Sequence, residues 1–287
     1  MNKKLGMAVA GAVMAFGATA ANAGITIPAG DWTIDIGGNV NAYYNHVNRD
    51  VEIKVGGVKL PSAIVEAVGF NDDSVNDINT GLLPSAIGIG GKTRQNDLDI
   101  AFQFTFFTGA NSGTQSAAGG NTLNIRQAYM TFGDASWGTI KLGRDLGIFG
   151  SDAILNDMTL LGVGVGTVNN LESSTLGRIG SGYIYADWVG QISYASPNWN
   201  GFSFNVGLRE GWTNGAAGNN ARRNLGYEGK VGYEWAGDVS GKVWAGFISQ
   251  KHEDGGSGFF DREYTSRGWD LGGKVAFSGL QLVGYYY

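Results

Sequence analysis

The chain has 287 residues, with 49 glycines, 4 prolines, no cysteine, 2 histidines, 16% charged and 12% aromatic residues, and a formal charge of −5. Soluble domains carry about 25% charged residues and ~7% glycine, so this chain is poor in charge and very rich in glycine, yet too aromatic to read as disordered. The lack of cysteine excludes disulfide scaffolds, thiolate metal sites and cysteine nucleophiles, two histidines leave little for a metal cluster, and the acidic balance argues against nucleic acid as a partner.

Residues 1–23 read MNKKLGMAVAGAVMAFGATAANA. Lys3 and Lys4 precede an apolar run from Leu5 to Ala18, and Ala21-Asn22-Ala23 is a small-x-small cleavage site. This is the layout of a secretory signal peptide, with residues 24–287 as the mature domain. The apolar run is short for a membrane anchor, and no later run has the length of a spanning helix.

From there the dominant period is two. Trp32, Ile34, Ile36, Gly38, Val40, Ala42 and Tyr44 alternate with polar or small residues, as do Leu98, Ile100, Phe102, Phe104 and Phe106. Phe202 to Leu208, Leu225 to Trp235 and Trp269 to Phe277 repeat the pattern. One apolar and one polar face mark half-buried strands, and glycine throughout opposes helix. Eleven strands are predicted, over 31–45, 84–92, 98–107, 122–132, 139–145, 183–195, 202–212, 225–235, 241–251, 264–277 and 280–287. The phase of 241–251 stays open, because Val243/Phe247 and Trp244/Ile248 compete for the apolar face.

The gaps alternate strictly between long and short. Long gaps fall at 46–83, 108–121, 146–182, 213–224 and 252–263, and short ones at 93–97, 133–138, 196–201, 236–240 and 278–279. Each strand therefore pairs antiparallel with the next, and all short turns share one end. This predicts an all-β transmembrane antiparallel barrel with short periplasmic turns and long external loops. Trp32, Trp137, Trp199 and Trp235 fall at the short-turn end, where an interfacial aromatic girdle belongs.

The stretch RQAYMTFGDASWGTIKLGRD at 126–145 resembles the Gram-negative general porin family, most of all its neisserial and β-proteobacterial trimeric members. There an Arg-Gln-aromatic strand, a glycine-rich turn and a strand ending in Gly-Arg lead into the third external loop. ISYASPNWNGFSFNVGL at 192–208 resembles the family's Tyr-x-Ser-Pro turn and the aromatic-glycine hairpin after it. The resemblance implies a sixteen-stranded barrel, a homotrimer in outer-membrane lipid, and a constriction loop at about 146–182. Against sixteen strands, eleven implies a chain truncated at its C-terminal side, since a barrel with both termini in the periplasm needs an even number. The alternative is a small twelve-stranded barrel with Tyr287 as its terminal aromatic, but no further strand is legible except within the long first loop.

Strand parity selects the charges that point inward: Arg126 opposite the outward Ile125 and Tyr129, Lys141 between Ile140 and Leu142, then Arg209, Glu228, Lys230 and Glu234. Arg126 also matches, by motif, the family's wall arginine. Asp145, Asp152, Asp157 and Glu172 are expected from the third loop, facing the basic wall. The expected constriction residues are Arg126, Lys141, Asp152, Asp157, Arg209 and Lys230, and a basic wall against an acidic loop filters solutes by size and charge.

No catalytic constellation is legible. His46 and His252 fall at external strand ends without a partner, Asn71 to Asp77 lacks the glycine and distal glutamate of a calcium loop, and Gly162 to Gly166 lacks the context of a phosphate loop. The expectation is a general diffusion porin, not an enzyme, without metal or cofactor, passing ions and small hydrophilic solutes through the outer membrane of a Gram-negative cell. The alternatives are an outer-membrane barrel enzyme or adhesin, and a secreted soluble β-protein.

Overall fold

In a computed structural model, residues 24–47, 54–55, 58–59, 75–80, 83–110, 123–157, 184–211, 224–253 and 263–287 are described. The predicted leader, Gly162 to Gly166, Glu172 and residues 71–74 of the Asx-rich stretch lie outside them. The strands are β1 (Ile25–Ala29), β2 (Trp32–Asn39), β3 (Tyr43–Val47), β4 (Lys54–Val55), β5 (Val58–Lys59), β6 (Val75–Asn79), β7 (Ser85–Gln95), β8 (Leu98–Thr108), β9 (Asn124–Asp134), β10 (Gly138–Leu146), β11 (Trp188–Ala195), β12 (Phe202–Arg209), β13 (Gly226–Trp235), β14 (Val239–Glu253), β15 (Glu263–Phe277) and β16 (Leu280–Tyr286). One helical turn, α1 (Ser151–Leu155), follows β10.

Twelve strands form one sheet in the order β1-β2-β7-β8-β9-β10-β11-β12-β13-β14-β15-β16. Every pairing in it is antiparallel between chain neighbours, apart from β2 with β7, which brackets the hairpins β3-β6 and β4-β5. Strands of 9 to 15 residues, as in β10, β14 and β15, reach the ~9–11 residues that a tilted strand needs to cross hydrocarbon. The tight turns fit the twist of the ladder. Asn96 and Asp97 both have positive φ (50° and 62°), as do Ser278 and Gly279 (47° and 85°), the conformation that two-residue hairpins require.

The solvent pattern inverts that of a soluble protein. Ile89, Phe104, Met130, Ile192, Val206, Val231, Val243, Trp269 and Leu271 stand exposed on one face, while Gln103, Thr105, Gln127, Asp145, Gln191, Arg209, Glu228 and Asp270 are buried on the other. A wall between hydrocarbon and a wet lumen demands this inversion. At the short-turn rim Trp199 stacks on Phe202, Trp235 stacks on Tyr233 and Trp32 leans on Phe102, so the expected girdle is present.

The structure departs from expectation in several places and settles one open phase. A twelfth strand, β1, folds back on β2 through Gly30 (φ 64°); five residues are too short a run to display an alternation. The first predicted strand does not run on to residue 45, because Asn41 leaves the ladder. Its side chain donates to Leu83 O at 3.0 Å and accepts from Thr80 Oγ1 at 2.8 Å, and its amide donates to Ser85 Oγ at 2.9 Å. β3 then pairs with β6 instead. In β14 Trp244 and Ile248 point inward and Val243 and Phe247 outward, which settles the open phase. Tyr129, expected on the outer face, is 5% exposed on the inner one.

A β-bulge explains Tyr129. Thr105 pairs with Gln127 and Phe106 with Ile125, so Arg126 is an extra residue in β9. Arg126 and Gln127 both turn inward, and the alternation beyond them is inverted: Met130 faces out and Tyr129 in. Bulges re-aim side chains in this way.

Candidate functional site

The inner face is a continuous polar surface. Gln103 Nε2 donates to Thr105 Oγ1 at 3.0 Å, Thr105 Oγ1 to Gln127 Oε1 at 2.6 Å, and Gln127 Nε2 to Asp145 Oδ1 at 2.9 Å. Asp145 also pairs with Lys141, whose ammonium lies 4.8 Å from the centre of the Tyr129 ring. Asp145 therefore belongs to the wall, as a residue of β10, and not to the loop where it was expected. The bulged Arg126 lays its guanidinium over Phe107 at 4.6 Å and near Trp188 at 5.9 Å, with Tyr185 and Asp187 as electrostatic neighbours.

After β10 the chain turns onto this face. Gly147 N donates to Asp187 O at 2.8 Å, joining the outgoing and returning limbs of the long connection. Phe149 N donates to Glu228 Oε2 at 3.1 Å, and Gly150 N to the Asp270 carboxylate. The Asp152 carboxylate then lies between two ammonium groups, Lys230 at 2.5 Å and Lys242 at 2.7 Å. Lys230 also donates to Ser151 Oγ at 3.0 Å. These wall residues sit on β13, β14 and β15, three to five places beyond β10 in the sheet, so residues 147–152 cross the inner face of the wall.

Apolar packing accompanies the polar anchors. Ile148, Phe149 and Ala153 are buried, as are Trp244 and Ile248 on the inner face of β14. Gly268 makes room: a side chain there would meet Ile184, Ile248 and Phe149. Both faces of β14 are thus apolar near its middle, Val243 exposed on the outer one and Trp244 and Ile248 buried on the inner one.

The returning limb rests on a buried pair. Arg209 and Glu228 are each 1% exposed and 3.4 Å apart, and Arg209 Nη1 also donates to Ala186 O at 3.3 Å. Asp157 is buried at the end of the described part of the outgoing limb. Burial raises the Asp152 pKa, but Lys230 and Lys242 outweigh it and hold the carboxyl below the usual carboxylate range.

Of the six expected constriction residues, Asp152 and Lys230 are brought together, Arg209 pairs instead with Glu228, Lys141 with Asp145, Arg126 lies over Phe107 and Trp188, and Asp157 is buried just after α1. Lys242 and Asp270 were not selected from sequence. Lys242 could have been: it sits opposite Glu234, whose inward parity was legible, and lies 3.5 Å from it. Asp270 was placed on the polar side of its strand, but no local signal tied it to the loop. His252 stacks on Tyr264 at 4.6 Å between ring centres, and His46 contacts Asn76 Oδ1 at 2.9 Å.

The fold has solved counterparts. OmpF of Salmonella typhi, in a complex with daunomycin, matches with a TM-score of 0.53 and 18% identity, over 90% of this chain and 66% of that one. The chain thus spans just under two thirds of that protein's length. An anion-selective porin from Comamonas acidovorans is similar at 17% identity and TM-score 0.49, over 88% of this chain and 79% of that one. The outer membrane channel DcaP of Acinetobacter baumannii is similar at 14% identity and TM-score 0.48, over 88% and 61%. No curated protein sequence matches. The family model for Gram-negative porins matches residues 8–287, nearly the whole chain. The chain is an outer-membrane protein and belongs to the Gram-negative porin family.

Proposed function

We propose that the protein is a passive, water-filled diffusion channel for ions and small hydrophilic solutes. In this reading it works as a homotrimer in outer-membrane lipid, after removal of residues 1–23, and residues 146–182 fold inward to form a charged constriction. The reading has no catalytic step; solutes move down their own gradients. The observation that carries it is the crossing of residues 147–152 over a charged inner wall, held by Asp152 on Lys230 and Lys242. Arg126, Lys141, Asp152, Asp157, Arg209 and Lys230 set the local potential there, and charge in a narrow aqueous gap sets selectivity.

Arg126→Ser tests the reading. Removing a cation from the wall moves the reversal potential in a KCl gradient toward cation preference. The shift shrinks as salt rises from 0.1 M to 1 M, because the Debye length falls from ~10 Å to ~3 Å. An unchanged reversal potential at low salt places the constriction elsewhere.

A further inference from the structure

We propose that Asp152 is a positioning residue: its carboxylate, gripped by Lys230 and Lys242, fixes the inward segment on the wall and so sets the cross-section of the channel. This rests on the channel reading above. It reassigns Asp152 and Lys230 from filtering solutes to holding the segment that narrows the path.

The geometry favours a clamp over a filter. Lys230 and Lys242 come from adjacent strands, and Lys242 sits opposite Glu234, four residues beyond Lys230 on β13. The two lysines thus anchor at levels about 13 Å apart along the wall, at ~3.3 Å per residue. One carboxylate bridges both levels. Lys242 is also shared with Glu234 at 3.5 Å, so the group holds two cations and two carboxylates. Charges paired in this way add less field to the lumen than isolated ones. Both lysine side chains are 18% exposed and that of Asp152 9%, so all three point into the contact more than into open water.

The segment needs such a hold. α1 is five residues long and Gly150, just before it, has φ 72° with no side-chain cap. A helix of that length has no stability of its own in water and depends on tertiary contacts. Two backbone amides and Ser151 Oγ bind the same strands nearby, which makes the wall of β13 to β15 the seat of residues 149–152.

A positioning role and a charge role differ in sign. Asp152→Asn removes one anion, and the double variant Lys230→Met/Lys242→Met removes two cations. If these groups only line the lumen, the two variants change conductance in ways that follow their charge and fade at 1 M KCl, where screening is short-ranged. If they clamp the segment, both variants raise single-channel conductance and open-channel current noise, and both effects persist at 1 M KCl. Their reversal potentials still move in opposite directions. Asp152→Glu, which keeps the carboxylate, restores conductance and noise toward the parent values. Should the double variant fail to assemble, Asp152→Asn against Asp152→Glu decides alone, because Asn preserves shape. The recordings use the full-length protein in planar bilayers. A conducting parent whose Asp152→Asn variant matches it in conductance and noise at 1 M KCl overturns the clamp and leaves the channel standing. A parent that conducts nothing overturns the channel itself.

Discussion

Arg209→Met is expected to destabilise the folded protein by about 3–5 kcal/mol, the loss typical when one member of a buried ion pair is removed. Glu228 would keep only the amide of Phe149, since its second oxygen has no partner among the described residues. The carbonyl of Ala186 would lose its donor at the same time, so the returning limb should loosen with the outgoing one. The double variant Arg209→Met/Glu228→Leu should recover most of the loss, because apolar groups of similar volume often replace a buried pair without penalty. Thermal unfolding in detergent, followed by the heat-dependent shift in gel mobility, measures both. A single variant as stable as its parent would mean that water reaches the pair and the limb is held elsewhere.

Val206→Arg should block assembly where Asn205→Arg does not. Val206 is 42% exposed on the outer face, in a row with Tyr194, Gly229 and Phe247, whereas Asn205 faces inward beside Lys230. A cation on the lipid face near the midplane costs ~2–4 kcal/mol. A like charge opposite Lys230 on the wet side costs about 1 kcal/mol or less. Folding into lipid vesicles, titrated with urea, gives the comparison directly. Equal yields would remove the inside-outside assignment on which every wall residue depends.

That assignment was the most legible part of the chain. An outer face bathed in hydrocarbon leaves an uninterrupted apolar row, so Phe102, Phe104 and Phe106, or Tyr227, Val231 and Tyr233, declare their side without any fold in hand. The alternation of loop lengths declares the topology. Parity fails where a strand is irregular or where both faces are dry. The bulge at Arg126 is invisible in sequence, because one extra residue changes no composition; it left Arg126 correctly inward and Tyr129 wrongly outward. β14 hid its phase because Ile248 is buried beside Phe149 and Trp244 against Tyr285 and Gly272, and neither neighbour announces itself in the sequence of β14. The candidate site was legible by residue type but not by partner. Asp152, Arg209 and Lys230 were selected as charges of the constriction, yet which cation each acid meets depends on how residues 147–152 cross the wall.

The proposed channel function rests on one physical property, a continuous aqueous path. Incorporation of the full-length protein into a planar lipid bilayer measures it. The account predicts stepwise, ohmic conductance increments that grow in proportion to bulk KCl, as in a water-filled pore, with a salt-dependent selectivity altered by Arg126→Ser. Incorporated protein that gives no steps, or a current that saturates at low salt as in a tight binding site, would contradict it.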